Sequence, residues 1–234
     1  MQDAEAPRRA LLSAVLFGSA AALPVLVLGV LVSGGSNAVV RLDEATVVAA
    51  TDVTRGSPVL RTALVVWQDV VAPRWLNLVV VPLVCLWAWR RHGLARRAAW
   101  AGATVAAGWA LQLAAKTLVR RARPVIDDAV AHGPGYSFPS GHAAGTTMAA
   151  LALTVLAWPA LRPRGRAAAV TAAAVAVVVA GADRVLLGVH HPSDVVAGTA
   201  LGVAVVGASF LGFRHRRTGA RDGAPASTDR AEGP

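Results

Sequence analysis

An all-α integral membrane bundle of about six transmembrane helices is the fold class this sequence predicts, and three observations carry the prediction. Of 234 residues, 55% are hydrophobic and only 15% are charged, and the mean hydropathy is +0.53, outside the range of an ordinary soluble domain. The apolar residues, mainly Ala, Val and Leu, fall in runs of roughly 17 to 25, the length that crosses a hydrocarbon core about 30 Å thick as a helix. Between those runs, basic residues recur in short clusters.

Residues 1–9 read as a cytoplasmic N-terminus ending in Arg8-Arg9, and the first span follows at 10–32. A cleavable signal core is only about 7 to 15 residues long. This run is longer and ends in Ser33-Gly34-Gly35-Ser36 without a small-x-small cleavage site, so it reads as a retained anchor. Residues 37–72 mix Val and Leu with Asp43, Glu44, Asp52, Arg55, Arg61, Gln68 and Asp69. That segment is too polar to span and reads either as an amphipathic helix or helical pair on the outer surface or as a simple helical connector.

Further spans are predicted at 73–90, 96–117, 141–159, 166–185 and 194–213. The first of these contains Pro82, which a membrane helix tolerates when neighbours satisfy the freed carbonyl. Residues 10–217 therefore form one membrane domain. The tail, 218–234, is rich in Gly, Ala, Pro, Asp and Arg without apolar periodicity and is expected to be disordered and cytoplasmic.

The net charge of +10 does not indicate nucleic-acid binding, because the cations lie between apolar runs rather than along one polar face. Arg8-Arg9, Arg90 to Arg97, Arg162 to Arg166 and Arg214 to Arg217 fall at alternate ends of consecutive spans, which puts both termini on the cytoplasmic side. Arg120, Arg121 and Arg123 break that pattern in an outward loop, where anion binding is the obvious use for them. Trp75, Trp87, Trp89, Trp100 and Trp158 lie near predicted span ends and read as interfacial anchors. The single Cys85 lies in an apolar run and cannot form an intramolecular disulfide. Abundant Ala, Val, Arg and Gly, with Lys116 the only lysine, suggests a GC-rich bacterial genome and a multi-pass protein of the plasma membrane. Nothing in the sequence sets an oligomeric state.

The chemistry concentrates in residues 116–194. A phosphoryl group in transfer spreads charge over three oxygens, and a protein stabilises it by aiming cations and N–H groups at them. Lys116, Arg123 and Arg184 suit that role, the last two through the guanidinium fork. Pro139-Ser140-Gly141-His142 stands directly before an apolar run. There Gly141 lets backbone approach an anion, Ser140 can cap the helix or contact phosphate, and His142 can give a proton to a leaving oxygen. In the third cluster Asp194 follows His190 by four residues. A carboxylate at that spacing can bond one imidazole nitrogen and leave the other free to attack phosphorus. His190 is thus the expected nucleophile, while His191 lacks the same sequence relation to Asp194. No His-x-x-x-His spacing, carboxylate cluster or Walker loop is present, and neither metal nor cofactor is expected.

The order Lys-x6-Arg-Pro, Pro-Ser-Gly-His, Arg-x5-His-x3-Asp resembles the type-2 phosphatidic acid phosphatase superfamily, which includes lipid phosphatases, bacterial acid phosphatases and vanadium haloperoxidases. The resemblance implies that Lys116, Arg123, Ser140, Gly141 and Arg184 bind phosphate oxygens, that His142 is the general acid, His190 the nucleophile and Asp194 its orienting partner. It also implies an active site at the extracytoplasmic helix ends. Hydrolysis would proceed without metal through a phosphohistidine. The substrate would be a lipid phosphate or diphosphate in the bilayer, such as phosphatidic acid, phosphatidylglycerol phosphate or a polyprenyl diphosphate. One departure is Asp183, where the third motif usually has Ser before its Arg. The rival readings are a transporter or channel, a degenerate lipid-phosphate binder and a vanadate-dependent haloperoxidase.

Overall fold

The computed structural model describes residues 5–70, 72–126 and 130–222, and among them every regular element is helical. The helices are α1 (Glu5–Ser33), α2 (Asn37–Arg55), α3 (Pro58–Val70), α4 (Pro73–Trp75), α5 (Val81–His92), α6 (Ala95–Val119), α7 (Gly141–Ala157), α8 (Pro163–Leu186) and α9 (Pro192–Asp222). A π-turn, Leu76–Val80, joins α4 to α5. It directly precedes Pro82, whose missing N–H and ring disturb the regular ladder four residues back; widening to π spacing is one way a helix accommodates that.

Among the described residues, five stretches are long and apolar enough to cross a membrane: Leu11–Ser33, Pro58–His92, Gly141–Ala160, Pro163–Leu186 and Pro192–Arg214. The second of these takes in α3 together with the span expected at 73–90. The sixth expected span is α6, whose 25 residues give the needed length, but Trp100, Thr104, Trp109 and Gln112 dilute its Ala-rich sequence. The last helix runs through Thr218 to Asp222, past the position where the tail was expected to begin, because Arg214 to Asp222 contains no proline and continues the α9 register. The remainder of that expected tail, 223–234, lies outside the described residues, as do residues 1–4 of the expected N-terminal segment.

The bundle is built around α7, which packs on α6, α8 and α9. Its Ala143, Ala144, Ala149 and Ala152 are buried, and Gly198 and Gly202 of α9 face it. Small residues on both sides let two helices approach closely where lipid supplies no hydrophobic drive between them. Trp100 differs from its expected role as an interfacial anchor. It is buried, stacks on Phe213 at 5.4 Å and donates Nε1–H to Ser209 Oγ at 2.8 Å. The indole N–H has found a partner inside the bundle, which removes its reason to stay at the interface. Trp75, Trp87, Trp89 and Trp158 remain exposed.

Residues 37–72 fold mainly as α2 and α3. Asp43, Val47, Thr51 and Thr54 recur at helical spacing and form the buried face of α2. That face lies on α8 and α9, with the Thr54 hydroxyl donating to the Leu186 carbonyl at 2.8 Å. Leu64 of α3 packs with Leu187 and Val189. Both helices therefore meet the bundle at the end where α8 hands over to α9.

Candidate active site

All three sequence clusters meet at that end. After Val119 the chain leaves α6 through Arg120, in the left-handed conformation with φ 51°. It then runs extended, with the Ser137 N–H donating to the Arg121 carbonyl at 2.9 Å and the Ser137 hydroxyl to the Ala122 carbonyl at 2.8 Å. This pairing holds the Arg121–Arg123 strip against the approach to α7. Lys116 Nζ donates to the Tyr136 carbonyl at 2.6 Å and so ties α6 to the same approach. Gln112 Nε2 donates to the Pro139 carbonyl at 3.3 Å.

At the start of α7 the Ser140 hydroxyl accepts from the Ala143 N–H at 3.4 Å and is buried. Ser140 is therefore an N-cap. The Gly141 and His142 N–H groups have no acceptor among the described residues, leaving the first turn open to an anion. The Ser140 N–H donates to the Asp194 carbonyl at 2.9 Å, which fixes the second cluster to the third. His142 is half-buried, bonds the Gln68 backbone of α3, and lies within charge range of Arg184, His190 and Arg123.

The third cluster is placed by the end of α8. Gly188 turns the chain with φ +71°, where a side chain would be strained and would also meet Ile126 and Thr51. His190 and His191 follow, and both are buried. Asp194 Oδ2 lies 3.4 Å from His190 Nδ1 and 3.3 Å from His191 Nδ1, so nearness to the carboxylate does not separate the two histidines as the sequence spacing suggested. The first turn of α9 brings both rings to one oxygen. The His190 contact is longer than a well-formed hydrogen bond, and Nδ1 has no hydrogen-bond partner. Surroundings of the second nitrogen do separate them. His190 Nε2 faces Arg123 Nη1 at 3.2 Å, whereas His191 lines a cavity of about 490 Å³ with Val40, Glu44, Val47 and Val48 of α2 and the 121–126 strip.

Burial is the chief reason the His190 imidazole is lowered to about 4; Asp194 opposes it, and Arg123 and Lys116 reinforce it. Burial likewise lowers the Arg123 guanidinium from its ordinary value, with Asp194 opposing and Arg184 reinforcing. Arg123 is held by carbonyls: Nε donates to Gly135 at 3.1 Å, Nη1 to Val189 at 2.6 Å and Nη2 to Pro134 at 2.9 Å. Arg184 is held by Asp183, which accepts from Nε at 2.8 Å and also from Nη2, and by Gln68 Oε1, which accepts from Nη2 at 3.2 Å. Arg184 Nη1 makes no bond to the described residues.

Sequence reasoning did not foresee Asp43, Ser193 or Gln68 at this site, and it read Arg121 as an anion-binding cation, whereas its guanidinium is taken up by protein carboxylates. Arg121 Nη1 donates to Asp194 Oδ1 and Ser193 Oγ, both at 2.7 Å, and Nη2 donates to Asp43 Oδ2 at 2.6 Å. Arg121 gave one signal, its position against the charge pattern of the loops. Asp43 and Gln68 appeared only as polar residues in a segment too polar to span.

The site brings together four cations, Lys116, Arg121, Arg123 and Arg184, an open helix N-terminus and three histidines, of which His190 and His191 share the Asp194 carboxylate and His190 faces the Arg123 guanidinium. Among curated proteins, the decaprenylphosphoryl-5-phosphoribose phosphatases of two Mycobacterium tuberculosis strains, CDC 1551 / Oshkosh and ATCC 25618 / H37Rv, are each 42% identical over 134 residues, covering 56% of this chain and 67% of theirs. Among solved structures, the first transmembrane PAP2 type phosphatidylglycerolphosphate phosphatase from Bacillus subtilis aligns with TM-score 0.74 at 24% identity, over 86% of this chain and 96% of that one, a likeness of fold. The PAP2 superfamily profile matches residues 97–218, more than half of the chain and all three clusters. The chain belongs to the PAP2 superfamily.

Proposed function

We propose that this membrane phosphatase hydrolyses the terminal phosphate of a polyprenyl-linked phosphomonoester, without a metal, through a phosphohistidine on His190. The observation that carries the reading is the convergence of Lys116, Arg123 and Arg184 with His142 and the His190–Asp194 pair at one end of the bundle. In the first step His190 Nε2 attacks phosphorus in line. The P–O bond between the terminal phosphorus and the pentose hydroxyl oxygen breaks, and His142 gives its proton to that departing oxygen. In the second step His142 takes a proton from water, the water oxygen bonds phosphorus, and the P–N bond breaks to return neutral His190 and free phosphate. Arg123, Arg184, Lys116 and the open N–H groups of Gly141 and His142 hold the three phosphate oxygens through both steps. Ser140 acts by fixing that first turn.

The polyprenyl choice rests on the 42% identity to phosphatases named for a decaprenylphosphoryl substrate. The basic clusters at alternate span ends favour a site on the extracytoplasmic face, with both termini cytoplasmic. Arg123 in a loop expected to face outward accords with a negatively charged headgroup there.

Three measurements test the reading. Purified protein in detergent, given a panel of a polyprenyl-phosphoryl pentose phosphate, phosphatidylglycerol phosphate and phosphatidic acid, should release phosphate fastest from the first; preference for a glycerolipid overturns the substrate assignment. Rapid acid-free quenching with labelled substrate should trap an acid-labile phosphoenzyme in wild type and none in His190→Ala. A phosphoenzyme that persists in that variant overturns the nucleophile, and turnover abolished by EDTA overturns the metal-free mechanism.

A further inference from the structure

Asp43 lies on α2, outside the residues that match the family profile, yet its carboxylate is buried against the catalytic loop. Oδ1 accepts the Ser193 N–H at 3.0 Å, and Oδ2 accepts from the Ser193 hydroxyl and from Arg121 Nη2 at 2.6 Å. Arg121 in turn holds Asp194 Oδ1 at 2.7 Å, which turns Asp194 Oδ2 toward the two histidines. The Asp43, Arg121 and Asp194 side chains are 3%, 10% and 0% exposed, so their charges are felt at nearly interior strength.

One guanidinium thus lies between two carboxylates. If Arg121 faced Asp194 alone, the pair would be neutral, and Asp194 would lose most of its field at His190 just when phosphorus attack makes that ring positive. With Asp43 on the other side, Arg121 is shared and the trio keeps one net negative charge. Position and charge are separable here: Arg121 sets the angle of Asp194, and Asp43 leaves Asp194 its charge.

We propose that Asp43 is a positioning residue for the phosphatase reaction, holding Arg121 in a shared ion pair so that Asp194 remains effectively anionic toward His190. The proposal rests on His190 as the nucleophile. It predicts that Asp43→Asn, which keeps the shape and one acceptor, lowers kcat by about tenfold to thirtyfold, the effect of deleting a charge several Å away at an effective dielectric near 20. KM should change little, because Asp43 bonds none of Lys116, Arg123 and Arg184.

The deciding experiment pairs this variant with Arg121→Gln. The double variant Asp43→Asn/Arg121→Gln removes one charge of each sign and restores the net negative charge beside His190, while the amide that replaces the guanidinium can still donate to Asp194. Its kcat should exceed that of Asp43→Asn alone, whereas a purely structural role predicts that the second substitution makes matters worse. Kinetics with a soluble aryl phosphate and thermal melts in detergent are recorded on all variants, with Asp194→Asn alongside. A double variant that is folded yet no faster than Asp43→Asn overturns the proposal. If Asp43→Asn does not fold, the double variant decides alone: kcat near wild type supports the shared-charge role, and a loss as deep as that of Asp194→Asn overturns it. A fully active Asp194→Asn would instead refute the underlying His190–Asp194 assignment, which keeps the two failures distinct.

Discussion

Replacing Asp183 by Asn should tighten phosphate binding, and the magnitude can be worked from the contacts of Arg184. Asp183 clamps the Nε and Nη2 edge of that guanidinium, with carboxylate and cation 1% and 4% exposed. A phosphate oxygen taken by Nη1 would lie across the group, roughly 7 Å from the carboxylate when two hydrogen bonds and the width of the guanidinium are added. At an effective dielectric near 20, repulsion at that distance is about 2 kcal/mol per unit of phosphate charge. Some of the gain is lost because Asn holds the guanidinium more weakly, and freeing a long side chain costs about 1 kcal/mol on rebinding. Gln68 Oε1 still accepts from Nη2 at 3.2 Å and limits that loss. With a phosphate charge of about −1.5, about 3 kcal/mol of relieved repulsion less about 1 kcal/mol leaves about 2 kcal/mol, or about thirtyfold in affinity. The assay is the inhibition constant of inorganic phosphate, or of orthovanadate as its analogue, against a soluble aryl phosphate in detergent at fixed ionic strength. The constant should fall about thirtyfold in Asp183→Asn, and kcat should fall too where phosphate release limits turnover. An unchanged or higher inhibition constant in a folded variant would refute the argument, since Arg184 would then not be holding phosphate under the influence of Asp183.

Acidification should destabilise the protein partly through His190. Its folded value, about 4, is depressed below the ordinary 6.5, so its contribution is full above the unfolded value and is lost as pH falls through about 4; melts from pH 7.5 to 4.5 should show a steeper loss in wild type than in His190→Ala, and equal slopes would contradict this. Gly133→Ala should displace Arg123, because the added Cβ would lie 2.6 Å from its Cζ. Loss of a charged hydrogen bond to phosphate then raises the phosphate inhibition constant about tenfold, with little change in melting temperature. Gly198→Ala should lower the melting temperature by an amount equivalent to about 1 to 3 kcal/mol, because its Cβ would lie 2.6 Å from the Ser140 carbonyl oxygen. An unaltered melt would mean that α9 can shift from the start of α7 at no cost.

The bundle and the residues proposed to touch phosphate were legible in the sequence because each leaves a local mark. Apolar runs mark helices, and Lys116, Arg123, Pro139 to His142, Arg184, His190 and Asp194 stand at fixed spacings within short segments. Residues that act through another residue leave no such mark. Asp43 lies 78 positions before Arg121 and 150 before Ser193, and only the packing of α2 on α8 and α9 brings them together. Gln68 is in the same position relative to Arg184. The two histidines show the reverse error. Spacing favoured His190 over His191, but a helical first turn presents Asp194 Oδ2 to both rings, and only the guanidinium at His190 Nε2 and the cavity at His191 tell them apart. Trp100 was misread for a related reason: position along a span says nothing about which side of the helix meets Ser209.

The charge balance explains why the proposed phosphate site recruits carboxylates. Lys116, Arg121, Arg123 and Arg184 place four cations at one end of the bundle, and Asp43, Asp183 and Asp194 place three anions among them. Four unpartnered buried cations would be too costly to desolvate and would repel one another. Full neutralisation would leave nothing to attract the substrate. An excess of one positive charge lies between these limits: it keeps the empty site folded, and a phosphate with a charge of about −1.5 to −2 turns the site slightly negative. On the proposed mechanism, that small surplus of negative charge favours positive charge on His190 and keeps His142 protonated until it gives its proton to the departing oxygen. Once phosphate leaves, the excess cation returns and the next anionic headgroup is drawn in. Asp43 and Asp183 therefore act in one balance from opposite sides, the first preserving the field of Asp194 and the second moderating Arg184. Substitutions at the two positions should accordingly shift different constants, kcat for Asp43 and phosphate affinity for Asp183, although each removes a single buried carboxylate from the same site.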